Sequence, residues 1–139
     1  MKEDERKRLI ELQDLLRGST RPPSALIVDD NPNDTQITEF HLRSKGVATM
    51  SVMDGMDAVK LVARHDFWVI FLDWKLAGAS GEQTLKAIRQ INRFARVIIL
   101  TGVFDTHSSE AIKAMSLGAI AVMPKPLTSE QVELIFGSP

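Results

Sequence analysis

Residues 67–72 read FWVIFL, six apolar side chains in succession, and the run stops at a carboxylate, Asp73. A strand with one wet face alternates apolar and polar residues, so an unbroken run of this length points to a strand covered on both faces. Such strands belong to parallel sheets, whose crossovers lay helices on either side. Reading outward from this run, RVIIL (96–100) and AIAVM (119–123) are further strands toward the C-terminus. Toward the N-terminus, ALIV (25–28) and VATMSV (47–52) are two more. Between the strands the spacing becomes helical. Pro32 suits a first turn, and Ile37, Phe40 and His41 repeat until Gly46. Ala58, Leu61 and Val62 follow the Asp54–Gly55 pair, then come Leu85, Ile88 and Ile91, and Ala111, Ile112 and Met115 before Gly118. Thr128 and Gln131 form a capping-box pattern ahead of Val132 and Ile135. Five strands alternating with five helices predict an α/β fold: a doubly wound parallel sheet with right-handed crossovers.

Residues 1–20 stand apart. Leu9, Leu12 and Leu16 share a helical face flanked by Ile10 and Leu15, and Gly18, Ser19 and Thr20 end the run. RPPS (21–24) is a stiff linker. The expected organisation is therefore a helix and linker over 1–24, one domain over 25–136 and a tail at 137–139. The leucine face is long enough to dock on the domain or to pair with another copy, which leaves a homodimer open.

The 139 residues suit a single core, and 44% hydrophobic content can fill it. With 17 basic and 18 acidic residues, the charge balance gives no support for a nucleic-acid or membrane partner of the bulk-electrostatic kind. The absence of cysteine excludes disulfides and thiolate chemistry. No apolar run is long enough to span a bilayer, and the charged stretch from Lys2 to Arg8 is unlike a signal peptide, so a cytoplasmic location is expected. His41, His65 and His107 lack metal-ligand spacing.

Parallel sheets bind ligands outside the carboxyl ends of their strands. The first strand ends in Asp29 and Asp30, the third in Asp73, the fourth in Thr101 and Gly102, and the fifth runs to Lys125 and Pro126. Adjacent carboxylates repel by roughly 4 kcal/mol at an effective dielectric near 20, so a cation is expected among them. An all-oxygen set of few ligands suits Mg²⁺, which keeps several of its waters. A carboxylate is also a nucleophile toward phosphorus. The metal and Lys125 would neutralise charge on an incoming phosphoryl group, Thr101 would donate a hydrogen bond to it, and Gly102 leaves room for its approach.

LIVDDN (26–31), VIFLDW (69–74), VIILTG (97–102) and GAIAVMPKP (118–126) together resemble the motifs of the receiver domain of two-component response regulators. The resemblance covers about residues 25–136, and Asp54–Gly55 and Gly81 agree with it. It implies a flavodoxin-like (βα)5 sheet in the order 2-1-3-4-5, here with an extra N-terminal helix. It also implies that Asp73 accepts a phosphoryl group from the phospho-His of a histidine kinase or phosphotransfer protein. Asp30 and Asp73 would bind Mg²⁺ directly, Asp29 through a water, and the Lys75 backbone carbonyl would complete the protein ligands. Thr101 and Lys125 would hold the phosphoryl oxygens, and the Lys125–Pro126 bond would be cis. The resemblance implies a switch rather than a substrate-turnover enzyme. With no further domain after residue 139, its expected output is contact with a downstream protein, unless the chain is part of a longer hybrid kinase.

Four departures matter. Lys75 stands where a small polar residue is common, and Ala77 where proline is common. Val122 stands where the family usually has a Tyr or Phe ring that changes position on phosphorylation. The last helix is short, which shrinks a face that receivers use for dimers and that the N-terminal helix could cover. Two other readings compete. A pseudo-receiver, an interaction module without a working switch, is favoured by Val122 and Lys75 and opposed by the intact acid set. A Mg²⁺-dependent phosphatase with an aspartyl nucleophile would commonly separate its two acids by one residue, whereas Asp29 and Asp30 are adjacent.

Overall fold

The structure, a computed structural model, describes residues 3–19, 22–76, 78, 80–102 and 108–137. Thr20 at the end of the helical run, Arg21 of the linker, Ala77, His107 and the last two residues of the tail lie outside the described residues. The chain runs α1 (Glu3–Arg17), β1 (Ser24–Val28), α2 (Pro32–Ser44), β2 (Ala48–Val52), α3 (Gly55–Val62) and β3 (Val69–Asp73). It continues through α4 (Gly81–Ile91), β4 (Val97–Thr101), α5 (Ser109–Ser116), β5 (Ala121–Pro124) and α6 (Ser129–Phe136). The five strands form one parallel sheet in the order β2-β1-β3-β4-β5, the order implied by the resemblance.

Two-residue periodicity divides β1, β3, β4 and β5 between two cores. Leu26, Val28, Ile70, Leu72, Val97, Ile99 and Val122 face α3, α4 and α5, where Ala58, Leu85, Ile88, Ala111 and Ala114 meet them. Ile27, Val69, Phe71, Ile98, Leu100, Ala121 and Met123 face the other way, onto Leu42 of α2 and Val132 and Ile135 of α6. All five residues of β3 are buried, as its unbroken apolar run predicts.

The local signals place the helices well. Asn31 caps α2 through its side chain, Asp54 caps α3, and Thr128 with Gln131 makes both bonds of a capping box at α6. The buried faces are harder. In α2 the expected face of Ile37, Phe40 and His41 is wrong: Phe40 is 65% exposed, and Thr38 and Leu42 are the buried pair. Leu42 joins the core cluster that holds Ile27, Val47 and Ile135, and burying it there leaves Phe40 outside. Ile91 and Ile112 also point outward, and α5 lays Ala111 and Ala114 against the sheet. The last strand begins two residues later than its apolar run, because the Ala119 N–H closes the end of α5 by donating to the Ala114 carbonyl.

The N-terminal helix docks on its own chain. Leu9, Leu12 and Leu16 are buried in the second core. The helix also reaches the main chain of β5, an edge strand. The buried Glu5 carboxylate accepts the Val122 N–H at 3.2 Å, and Arg8 Nε donates to the Ile120 carbonyl at 3.0 Å. Farther along, the Gln13 amide donates to the Leu134 carbonyl near the end of α6.

Candidate functional site

The sheet order reverses between β1 and β3, and the C-terminal ends of β1, β3, β4 and β5 meet at that edge. Register brings the residues together: Val28 pairs with Leu72, Asp73 with Leu100 and Thr101 with Pro124. Asp29, Asp73 and Thr101 are buried there, and the Lys125 N–H donates to the Thr101 carbonyl at 2.9 Å. The Lys125–Pro126 peptide is cis.

Lys125 is the centre of the arrangement. Its Nζ lies 2.8 Å from Asp29 Oδ2, 3.1 Å from Asp73 Oδ2 and 3.2 Å from Asp34 Oδ2. Each of the two strand-end acids spends its other oxygen on the main chain. Asp29 Oδ1 accepts the Asn31 N–H at 2.9 Å, and Asp73 Oδ1 accepts the Lys75 N–H at 3.2 Å. The repulsion among the acids is thus relieved first by an internal ammonium. Burial nevertheless holds the Asp73 carboxyl above its ordinary value, with Asp29 adding to the rise and Lys125 opposing it. Burial works against charge on Lys125 too, but its hydrogen bonds to Asp29 and Asp73 prevail and raise its pKa.

One carboxylate oxygen from each of Asp29, Asp30 and Asp73 lies within 4.8 Å of the others. Two oxygens on one Mg²⁺ sit at most about 4.2 Å apart, since each bond is 2.0–2.1 Å. Only one pair among three octahedral ligands can be that far apart, the others being about 2.9 Å apart, so the three acids fit a magnesium ion once they close in around it, or with one of them acting through a water. The donor set is oxygen alone, which suits this hard cation.

Asp29, Asp30, Asp73, Thr101 and Lys125, all expected from the sequence, converge on this edge. Lys75 contributes its N–H to Asp73, and its side chain is exposed. Two residues escaped the sequence reading. Asp34, in the first turn of α2, reads as an ordinary helix-start acid until the rotation of that helix aims it at Lys125. Glu110, in the first turn of α5, accepts the Trp74 indole N–H at 2.8 Å, and no spacing rule links positions 36 apart.

The comparisons with known proteins agree with this geometry. The family model described as the response regulator receiver domain matches residues 25–135. The chemotaxis protein CheY of Pseudomonas aeruginosa is 28% identical over 116 residues, which span 80% of this chain and 94% of that protein. The transcriptional regulatory protein ZraR of Klebsiella oxytoca is 28% identical over 109 residues, 78% of this chain but only 24% of that regulator's length. Among solved structures, the receiver domain of a Pseudomonas aeruginosa sensor histidine kinase has a magnesium ion coordinated in its active site cleft. It is 25% identical, with a TM-score of 0.73 over 85% of this chain and 100% of that one. A response regulator receiver domain protein from Clostridium thermocellum is 27% identical, with a TM-score of 0.74 over 82% and 90% of the two chains. With its strand order, its strand-end acids and this match over most of its length, the chain belongs to the response regulator receiver domain family.

Proposed function

We propose that this chain is a phosphorylation-dependent signalling switch in which Asp73 accepts a phosphoryl group from the phospho-His of a histidine kinase or phosphotransfer protein. The observation that carries the reading is the Lys125 ammonium bridging two buried strand-end carboxylates, Asp29 and Asp73, beside a third, Asp30. An Asp73 oxygen forms the new bond to phosphorus, the donor's P–N bond breaks, and its electron pair stays on the imidazole nitrogen, which takes up a proton. Lys125 faces the phosphoryl oxygens, and Thr101, one residue past the Asp73–Leu100 pair, donates to them. Asp30 and Asp73 would hold Mg²⁺ directly, Asp29 through a water, with the Lys75 carbonyl as the remaining protein ligand. That ion supplies charge neutralisation at the equatorial oxygens. The chain then acts without turnover of a separate substrate, and its output is contact with a downstream protein, either alone or as part of a longer protein. Among the described residues no helix is long and apolar enough to cross a membrane, and we place the domain in the cytoplasm.

The test is intact mass after incubation with Mg²⁺ and a small phosphodonor such as phosphoramidate. One phosphoryl group is expected on the wild type and none on Asp73→Ala. An unmodified wild type, or an adduct that survives the substitution, defeats the reading. Val122, buried where the family commonly has an aromatic ring, favours the second reading, a pseudo-receiver. Trp74, next to the acids and 5% exposed, separates the two: its fluorescence responds to Mg²⁺ in a working site and stays constant in a dead one.

A further inference from the structure

We infer that the Trp74–Glu110 hydrogen bond is the link through which occupancy of the acid pocket reaches helix α5. The inference rests on Asp73 being the phosphoacceptor. Trp74 follows Asp73 directly and has little freedom of its own. Its carbonyl accepts the Gly81 N–H at 3.1 Å, and a Cβ on Gly81 would come within 2.5 Å of Trp74 Cα. The main chain at Trp74 is therefore pressed against the start of α4 and cannot yield in that direction. On its other side the Lys75 N–H is committed to Asp73 Oδ1. Any change at the Asp73 carboxylate that alters this bond acts on a backbone held against α4, and the next side chain along it is the Trp74 indole.

The indole is buried in the core cluster that also contains Ala111, Ala114 and Val122. Its N–H is a donor only, and it is spent on Glu110 Oε2 at 2.8 Å. Glu110 is half-buried in the first turn of α5, a position where a carboxylate is favoured by the helix dipole with or without Trp74. The bond is charge-assisted and partly shielded from water, so it transmits displacement better than an exposed pair. A second side-chain tie of α5 among the described residues, Lys113 with Glu82 of α4 at 3.2 Å, is half-exposed and open to screening by salt. Trp74 is thus a positioning residue: it touches α5 through Glu110, and its backbone is continuous with the reacting group.

The test is amide hydrogen exchange of α5 in the full chain, before and after the adduct is formed and verified by intact mass. In the wild type, the adduct is expected to change exchange across residues 109–116. Glu110→Ala and Trp74→Phe are expected to take up the adduct and to lose that change, while resting exchange at the start of α5 quickens about fivefold, the worth of one ordinary hydrogen bond. Glu110→Gln keeps an acceptor oxygen and is expected to retain the response. A merely structural role would quicken the resting exchange and leave the adduct-induced change in place. That outcome in Trp74→Phe or Glu110→Ala, or loss of the response in Glu110→Gln, overturns the link alone. A wild type that takes up no adduct overturns the link and the phosphoacceptor reading together.

Discussion

Lys125 has one positive charge and three carboxylates within 3.2 Å. This sets the direction of several substitutions. Lys125→Met removes the internal counter-charge of two buried acids. Breaking a buried ion pair costs about 3–5 kcal/mol, so metal-free Lys125→Met is expected to lose stability of that order in urea unfolding. Added Mg²⁺ should recover much of the loss, and the variant should bind the ion more tightly than the wild type in a calorimetric titration. The pH dependence follows from Asp73, whose carboxyl burial raises. A raised pKa means that folding favours the protonated form. This contribution is fully present below the unfolded value and disappears as the pH climbs through the folded one. Asp73→Asn cannot ionise, so its stability relative to the metal-free wild type should improve with rising pH over that window; a flat difference would contradict the raised value. At Gly81 the argument is steric. A methyl there meets Trp74 backbone at 2.5 Å, and Gly81→Ala is expected to cost about 1–3 kcal/mol in the same unfolding assay. Asp29, Asp73 and Lys125 could be found in the sequence because a strand end fixes both their position and their neighbours. Asp34 and Glu110 could not, because a first-turn acid gives no sign of which way its helix is turned.

The elements show the same divide. Buried strands announce themselves by composition, and β3 and β4 are fully buried as their apolar runs require. Short helices do not announce their inner face. In the eight residues of α5, the small Ala111 and Ala114 permit close approach to the sheet, and the larger Ile112 is left outside. Helix α1 is the clearest case of an element whose pattern was legible and whose partner was not. Its leucine face is evident from spacing, but nothing in the spacing says that Glu5 and Arg8 answer the main chain of β5. Leu9 is fully buried, so Leu9→Ala is expected to cost about 2–5 kcal/mol, as a core leucine would. If α1 belongs to the same cooperative unit as the sheet, that loss will appear in one transition monitored over the whole chain, and a separate early transition would show an independently melting helix. Glu5→Ala leaves the Val122 N–H without its acceptor and should cost about 1–3 kcal/mol.

At the scale of the whole molecule, the acid pocket at the mouth of the sheet holds one ammonium among three carboxylates, with a fourth, Asp30, beside two of them. A ligand that binds only the folded state stabilises it by mass action, about 2.7 kcal/mol at a hundred times its dissociation constant. Mg²⁺ at that ratio should raise the melting temperature of the wild type, and chelation should reverse the shift. Asp30→Asn should show little of either effect. The fold as a whole was legible because its central strands are buried on both faces. The covering of its outer strand was not, because main-chain groups carry no sequence signature.

That covering decides what the rest of the cell can touch. A visitor approaching from the β5 side meets a helix carrying Arg6, Lys7, Ile10, Glu11, Asp14 and Leu15 on its outward surface. These six positions are exposed and are not among the residues of the acid pocket, so they can be rewritten without replacing any group in it. The character of this flank can therefore drift, or be re-engineered, while the acid pocket keeps its residues.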